Sequence, residues 1–357
     1  MLCESNKFLS KFLARFKTKT APLREDDLIQ EIFKPLTNPD ISFNLTDDIA
    51  CIEAGVFDGG KIVVSSDSVV QGVHLFKDID GFFYGAKLLK RNISDIIAKG
   101  AVPLYYNLNI VLPQNINYHF LQSFAAGLLQ VQSQYAIKLI GGDTTRFAKG
   151  LNDCFVANST IFGKIANNLH LPLRHNIKDG DVIFATNKAG LAFDGYLSLK
   201  AKAAKRKSKD LLALSKAELA YLNPELKHYN FCMEQDFTSL VSASMDVSDG
   251  LFKDLSTMLK ASNLAGVLNC QNVCKLCGVN DVEAAFAKLK FGDDYILLFA
   301  TPKANVDKIN TLAARHSLTI MPIASAKLGA SGAIYADDAM QMSFKPEGFD
   351  ALQMDIS

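Results

Sequence analysis

The sequence predicts an α/β or α+β protein of two domains, and three observations carry that reading. Apolar, β-rich runs alternate with segments whose apolar residues recur three and four apart. The chain has 357 residues, 49% of them hydrophobic, enough for two compact domains with cores of their own. A Gly-Asp turn near residue 180 then opens a second alternating half. We therefore expect an N-terminal domain over 1–165 and a C-terminal domain over 166–357.

The elements follow in order. NKFLSKFLARFKTK is basic and amphipathic, with Phe8, Leu9, Phe12, Leu13 and Phe16 at helical spacing. It has no secretory h-region, so a docked helix is expected, with an organelle-targeting segment as the other reading. KIVVSSDSVV is a strand ending in hydroxyls and an acid, and FFYGAKLLKRNISDIIAKGA is an amphipathic helix stopped at Gly100. LYYNLNIVLP is a second strand broken by Pro113, HFLQSFAAGLLQVQSQYA a second helix, and IKLIGGD the next strand. CFVANSTIFGKI alternates and closes the first domain; Lys178, Asp179, Gly180 and Asp181 then turn the chain into the strand VIFAT. The basic run KAKAAKRKSKD at 200–210 reads as a solvated face. SASMDVSD reads as a strand, a helix starts from Gly250, and FGDDYILLFA is a late strand.

Composition excludes some functions. A net charge of +1 argues against nucleic-acid binding by phosphate neutralisation. No apolar run approaches the ~18 residues of a membrane span. Seven cysteines without a disulfide framework suit a reducing cytoplasm. Cys270, Cys274 and Cys277 lack a nearby fourth ligand, so structural thiols are expected rather than a zinc knuckle.

The chemistry lies in the acids. Asp47, Asp48, Asp67, Asp95, Asp143, Asp246 and Asp249 fall mostly at strand ends or junctions, where ligands of open α/β sheets collect. Convergence would be hostile, because two carboxylates about 4 Å apart repel by roughly 4 kcal/mol at an effective dielectric near 20. Divalent metal relieves this. Oxygen donors without nearby His or Cys point to Mg²⁺, which binds through a few carboxylates plus substrate phosphates. In GGDTTR the glycines allow close backbone approach, the acid a metal bond, and Arg146 a fork for phosphate. Each motif also has a bland reading: Asp249 as a helix N-cap, Asp47 and Asp48 in a turn, Asp95 on a solvated helix face, His74 bonding its own backbone.

DDIA, SSDSVVQGVHLF, NISDIIAKGA, LIGGDTTR, DVSDGL and GDDYILLF occur in the order and near the spacing of the motifs of the thiamine-monophosphate kinase family. From about Phe8 to Phe349 the chain resembles that family, within the aminoimidazole ribonucleotide synthetase superfamily. The resemblance implies a two-domain fold with mixed sheets flanked by helices, a homodimer paired through its N-terminal sheets, and an ATP groove near that interface. It also implies transfer of the γ-phosphoryl group of ATP to thiamine monophosphate, with several Mg²⁺ ions and no P-loop; GxxxxGK[ST] is indeed missing from the sequence. By motif, the Mg²⁺ ligands would be Asp48, Ser65, Ser66, Asp67, Asp95, Asp143, Asp246 and Asp249. Gly142, Asp143, Arg146 and Ser248 would contact nucleotide, and His74, Asp293 and Phe349 the substrate.

No general base is expected, because a phosphate monoester is already ionised with a second pKa of about 6. Two departures concern the acceptor side: Asp293 is one methylene shorter than the family's usual glutamate, and Ile296 replaces a second acid. The alternatives are another ATP-dependent synthetase of the superfamily and a nucleotide- or thiamine-binding module without turnover. Against selenophosphate and hydrogenase-maturation chemistry, Cys3 is followed by no glycine-rich loop and the chain ends MDIS.

Overall fold

The computed structural model describes residues 29–42, 52, 54–57, 59–150, 154–204, 214–336, 343–344 and 348. The expected N-terminal helix, residues 205–210 of the basic run, Asp47, Asp48 and Phe349 lie outside the described residues. By its contacts the chain forms two compact units, one of Met1–Ile96 with Val102–Asn167, the other of Ile97–Ala101 with Asn168–Ser357. No described helix is long and apolar enough to cross a membrane.

Unit 1 is a four-stranded mixed sheet. Its strands are β1 (Gly60–Val70), β2 (Val102–Leu112), β3 (Lys138–Arg146) and β4 (Val156–Ala166), in the order β1-β4-β2-β3. β4 runs antiparallel to both β1 and β2, and β2 pairs β3 in parallel through a helical crossover. Helices α1 (Gly81–Ala98) and α2 (Tyr118–Tyr135) supply the apolar cover of the sheet. Alternation along β4 sorts the faces: Ala157, Ser159, Ile161 and Ile165 are buried, whereas Asn158, Thr160 and Phe162 are only half-buried. Asn92 of α1 ties helix to sheet by donating to Ser159 Oγ at 2.8 Å. On the opposite face Ile62 and Val64 are each 54% exposed.

The helices meet along a glycine seam. A Cβ on Gly81 or Gly85 would run into the backbone carbonyls of Phe120 or Phe124, and one on Gly127 into that of Phe82. Asn117 caps α2, accepting from Phe120 N–H at 2.7 Å, and α1 stops before Gly100 at φ +68°.

Unit 2 carries a seven-stranded sheet in the order β11-β10-β7-β9-β5-β8-β6. These are β5 (Val182–Thr186), β6 (Ala243–Asp246), β7 (Ala265–Leu268), β8 (Leu297–Thr301), β9 (Ile320–Lys327), β10 (Ile334–Ala336) and β11 (Ser343–Phe344). All neighbours are antiparallel except β7 and β10. Alternate side chains feed two cores: Ile183, Leu298 and Ala300 enter one, Phe184, Leu297 and Phe299 the other. Its longer helices are α3 (Leu191–Ala204), α4 (Lys216–Leu222), α5 (Leu251–Ala261), α6 (Cys270–Cys277), α7 (Val282–Leu289) and α8 (Val306–Arg315), beside two short ones at Tyr229–Cys232 and Gln235–Leu240. Cys270 and Cys274 pack in the first core from one face of α6.

Three expectations need correcting. Ser65, Ser66, Asp67 and Asp143 lie inside β1 and β3 rather than beyond their ends, because both are edge strands that tolerate polar side chains mid-course. FGDDYILLFA becomes strand only from Leu297, since Asp293 and Tyr295 hold left-handed φ values of +67° and +46°. Asp249 does not cap α5: the N-cap is Gly250 and no side chain bonds there.

Candidate active site

In unit 1, β1 and α1 bring four of the charged or hydroxyl side chains together. Ser65 and Asp67 stand two residues apart on the helix-covered face of β1, and Arg91 and Asp95 stand one turn apart on α1. Ser65 Oγ donates to Asp95 Oδ2 at 2.5 Å, and Arg91 Nη2 lies 3.3 Å from Asp67 Oδ1. One turn earlier on α1, the fully buried Lys87 reaches toward the carbonyl of His74 at 3.4 Å. His74 Nδ1 accepts from Val70 N–H at 3.0 Å, so the ring proton belongs on Nε2.

Strand alternation separates the other expected ligands from this cluster. The Ser66 side chain turns to the opposite face, where its Oγ lies 3.1 Å from Thr160 Oγ1. Asp143 pairs with Asn109, Asn109 with Asn158 and Asn158 with Ser68, which puts the Asp143 side chain on that same open face. It stands at the far edge of the sheet from Asp67, three strand spacings or roughly 14 Å away. Gly142 is required by the sheet itself, for a Cβ there would strike the Leu108 carbonyl. Arg146 is exposed at the end of β3.

Unit 2 assembles a second group from two loops. After the buried Asp246, Val247 N–H donates to Ile296 O, and Tyr295 and Asp293 N–H return to the carbonyls of Val247 and Ser248, each at 2.9 Å. Glycines make this fit possible: a Cβ on Gly292 would run into the Ser248 carbonyl, and Gly250 turns at φ +122° against the backbone of Lys290. Ser248, Asp249 and Asp293 are thereby neighbours. Asp293 Oδ1 accepts from the Tyr295 hydroxyl at 2.9 Å, and Asp249 Oδ2 pairs with Lys253 Nζ at 2.8 Å.

Two acids here escaped sequence reasoning. Asp254 Oδ2 accepts from both Ser248 N–H and Asp249 N–H, at 3.0 and 3.1 Å, so it shapes the loop that presents Asp249. Burial, helped by the charge of Asp249, pushes its carboxyl up to about 7, while the guanidinium of Arg174 pulls the other way. Asp294 accepts from Gly190 and Ala192 N–H at 2.6 and 3.2 Å and so caps α3 from a distant loop; burial raises it to about 7. A signal existed for Asp294. The segment entering α3, Lys188-Ala189-Gly190, offers no side-chain acceptor, so its first N–H groups turn to water or to an acceptor from elsewhere.

The donor chemistry suits a hard divalent cation. Ser65, Asp67 and Asp95 offer oxygen alone, and Mg²⁺ ordinarily takes only one or two carboxylates, completing its shell with water and phosphate. Among the described residues no three His, Cys, Asp or Glu side chains form a ready-made cage.

The AIR synthase related protein N-terminal domain matches residues 46–165, and the corresponding C-terminal domain matches residues 178–335. The chain belongs to the AIR synthase related family. It has the two-domain α/β fold of that family, with mixed sheets flanked by helices. Over 336 residues it is 26% identical to the thiamine-monophosphate kinase of Buchnera aphidicola, covering 91% of this chain and 98% of that one. The crystal structure of thiamine-monophosphate kinase from Stenotrophomonas maltophilia superposes with a TM-score of 0.69 at 26% identity, covering 87% of this chain and 95% of the other. AaThiL complexed with AMPPCP and TMP shares the fold at a TM-score of 0.64 and 22% identity, covering 93% of this chain and 98% of its own.

Proposed function

We propose that the protein is a thiamine-monophosphate kinase, which transfers the γ-phosphoryl group of ATP to thiamine monophosphate and releases ADP and thiamine diphosphate. The observation that carries this reading is the β1–α1 cluster, where Ser65, Asp67 and Asp95 gather oxygen donors of the kind that bind Mg²⁺ together with water and phosphate. The near full-length likeness to thiamine-monophosphate kinases supplies the acceptor. A relative bound to an ATP analogue and TMP has the same fold.

Asp48, Ser65, Ser66, Asp67, Asp95, Asp143, Asp246 and Asp249 are the residues we assign to hold Mg²⁺. When bound, the cation supplies charge neutralisation between two anionic phosphates. Ser248, with Gly142, Asp143 and Arg146, is assigned to the nucleotide. His74, with its proton on Nε2, is in the form that donates to an acceptor-phosphate oxygen. Asp293, fixed by Tyr295, sets a negative charge suited to the thiazolium cation, and Phe349 adds an aromatic face for the same cation. The acceptor phosphate is ionised at neutral pH, so these residues position and screen charge, and none is needed to remove a proton.

The exposed Ile62 and Val64 on the open face of the unit 1 sheet support a homodimer, since a second copy would cover them. Free thiols at Cys232, Cys274 and Cys277 support a cytoplasmic location.

The deciding experiment incubates the full chain with ATP, Mg²⁺ and thiamine monophosphate and separates the products. Thiamine diphosphate is expected from the parent, with losses on the order of 100-fold or more in Asp48→Ala and Asp143→Ala. ADP release that ignores thiamine monophosphate would point to another acceptor.

A further inference from the structure

The Asp67 carboxylate already has a cation. Arg91 Nη2 stands 3.3 Å from Asp67 Oδ1, and the two side chains are only 14% and 28% exposed, so the pair is largely shielded from water and salt. The guanidinium sits on the same turn-by-turn face of α1 as Lys87 and Asp95, with Asp95 engaged by Ser65. The helix thus delivers positive charge to the β1 acid, Asp67, while its own acid, Asp95, accepts from the β1 hydroxyl of Ser65. An oxygen accepting a guanidinium N–H has a lone pair committed, and a divalent ion arriving at the same carboxylate meets a fixed positive charge within a few ångströms.

We propose that Arg91 is a built-in counter-ion of Asp67 that competes with the divalent cation for this carboxylate, so that metal entry requires the guanidinium to release it. This rests on the kinase reading only in taking Asp67 as a metal ligand. Arg91 is then a positioning residue: it keeps the acid in place in the metal-free protein and tunes the concentration at which Mg²⁺ binds. Once released, its planar fork matches a phosphate oxygen pair better than an ammonium would.

The test is a Mg²⁺ titration of the full chain followed by thermal melting, beginning in EDTA and run with and without a fixed concentration of a non-hydrolysable ATP analogue. Arg91→Gln is expected to melt lower than the parent without metal and to reach its Mg²⁺ midpoint at a concentration at least fivefold lower. Arg91→Met is a second neutral variant that keeps the aliphatic packing, and Arg91→Lys, which keeps the charge, should stay within about twofold of the parent. In an Asp67→Asn background the Arg91→Gln effect on the midpoint should vanish, as expected for a pairwise coupling. Neutral variants whose midpoints equal or exceed the parent's overturn the proposal while leaving the kinase reading intact. A parent with no Mg²⁺ response also overturns the proposal, and the thiamine diphosphate assay then decides the kinase reading by itself.

Discussion

Asp254 and His228 are single residues whose importance comes from burial. Asp254 satisfies two backbone N–H groups with one oxygen, and Ala in its place leaves both without that acceptor. We expect Asp254→Ala to cost about 2–4 kcal/mol in urea unfolding and Asp254→Asn clearly less, since the amide oxygen can still accept. His228 is fully buried, with no hydrogen-bond partner at either ring nitrogen among the described residues, and burial holds its imidazole down at about 3. Its folded-state value lies below the ordinary 6.5, so the unfolded chain binds the extra proton first and stability falls as pH drops from 6.5 toward 3. At pH 5 the loss is about 2 kcal/mol, and His228→Leu should remove that part of the acid sensitivity in melts at pH 7 and pH 5. Neither role was legible in the sequence. Asp254 occupies an ordinary first-turn acid position, and a lone histidine carries no mark of its surroundings.

At the scale of elements, α1 and α2 depend on Gly85 and Gly127, each set against the backbone of the other helix. Alanine is the better helix former by about 1 kcal/mol, so an exposed glycine would gain from the exchange. Here the added methyl must push the helices apart. Gly85→Ala and Gly127→Ala are each expected to lower stability by about 1–3 kcal/mol, and a higher urea midpoint would contradict the seam. The helices and most strands were legible from periodicity, as β4 illustrates with its strict alternation. The polar stretches SSD and GGDTTR were misread as strand termini because edge position, which permits them, depends on which strands become neighbours.

For the whole molecule, unit 1 leaves two apolar side chains, Ile62 and Val64, exposed on the open face of its sheet. Ile62→Glu combined with Val64→Glu should convert the proposed dimer to a folded monomer in sedimentation velocity, with far-UV circular dichroism unchanged. Parent and variant sedimenting alike as monomers would remove the dimer from the functional reading. The same scale decides the ligand set. Ser65, Asp67 and Asp95 meet within unit 1, whereas Ser66 and Asp143 take the other face.

The sequence by itself determined the two-domain α/β architecture, the family, and the oxygen-rich chemistry, because hydrophobic period and motif order are local properties of the chain. Tertiary structure alone decided that Arg91 pairs with Asp67, that Asp254 and Asp294 hold loop and helix backbones, and that Ser66 and Asp143 stand apart from Asp67. The reason is physical. A carboxylate's role follows from what lies within a few ångströms of it, and strand pairing and helix docking bring together residues that no local pattern connects.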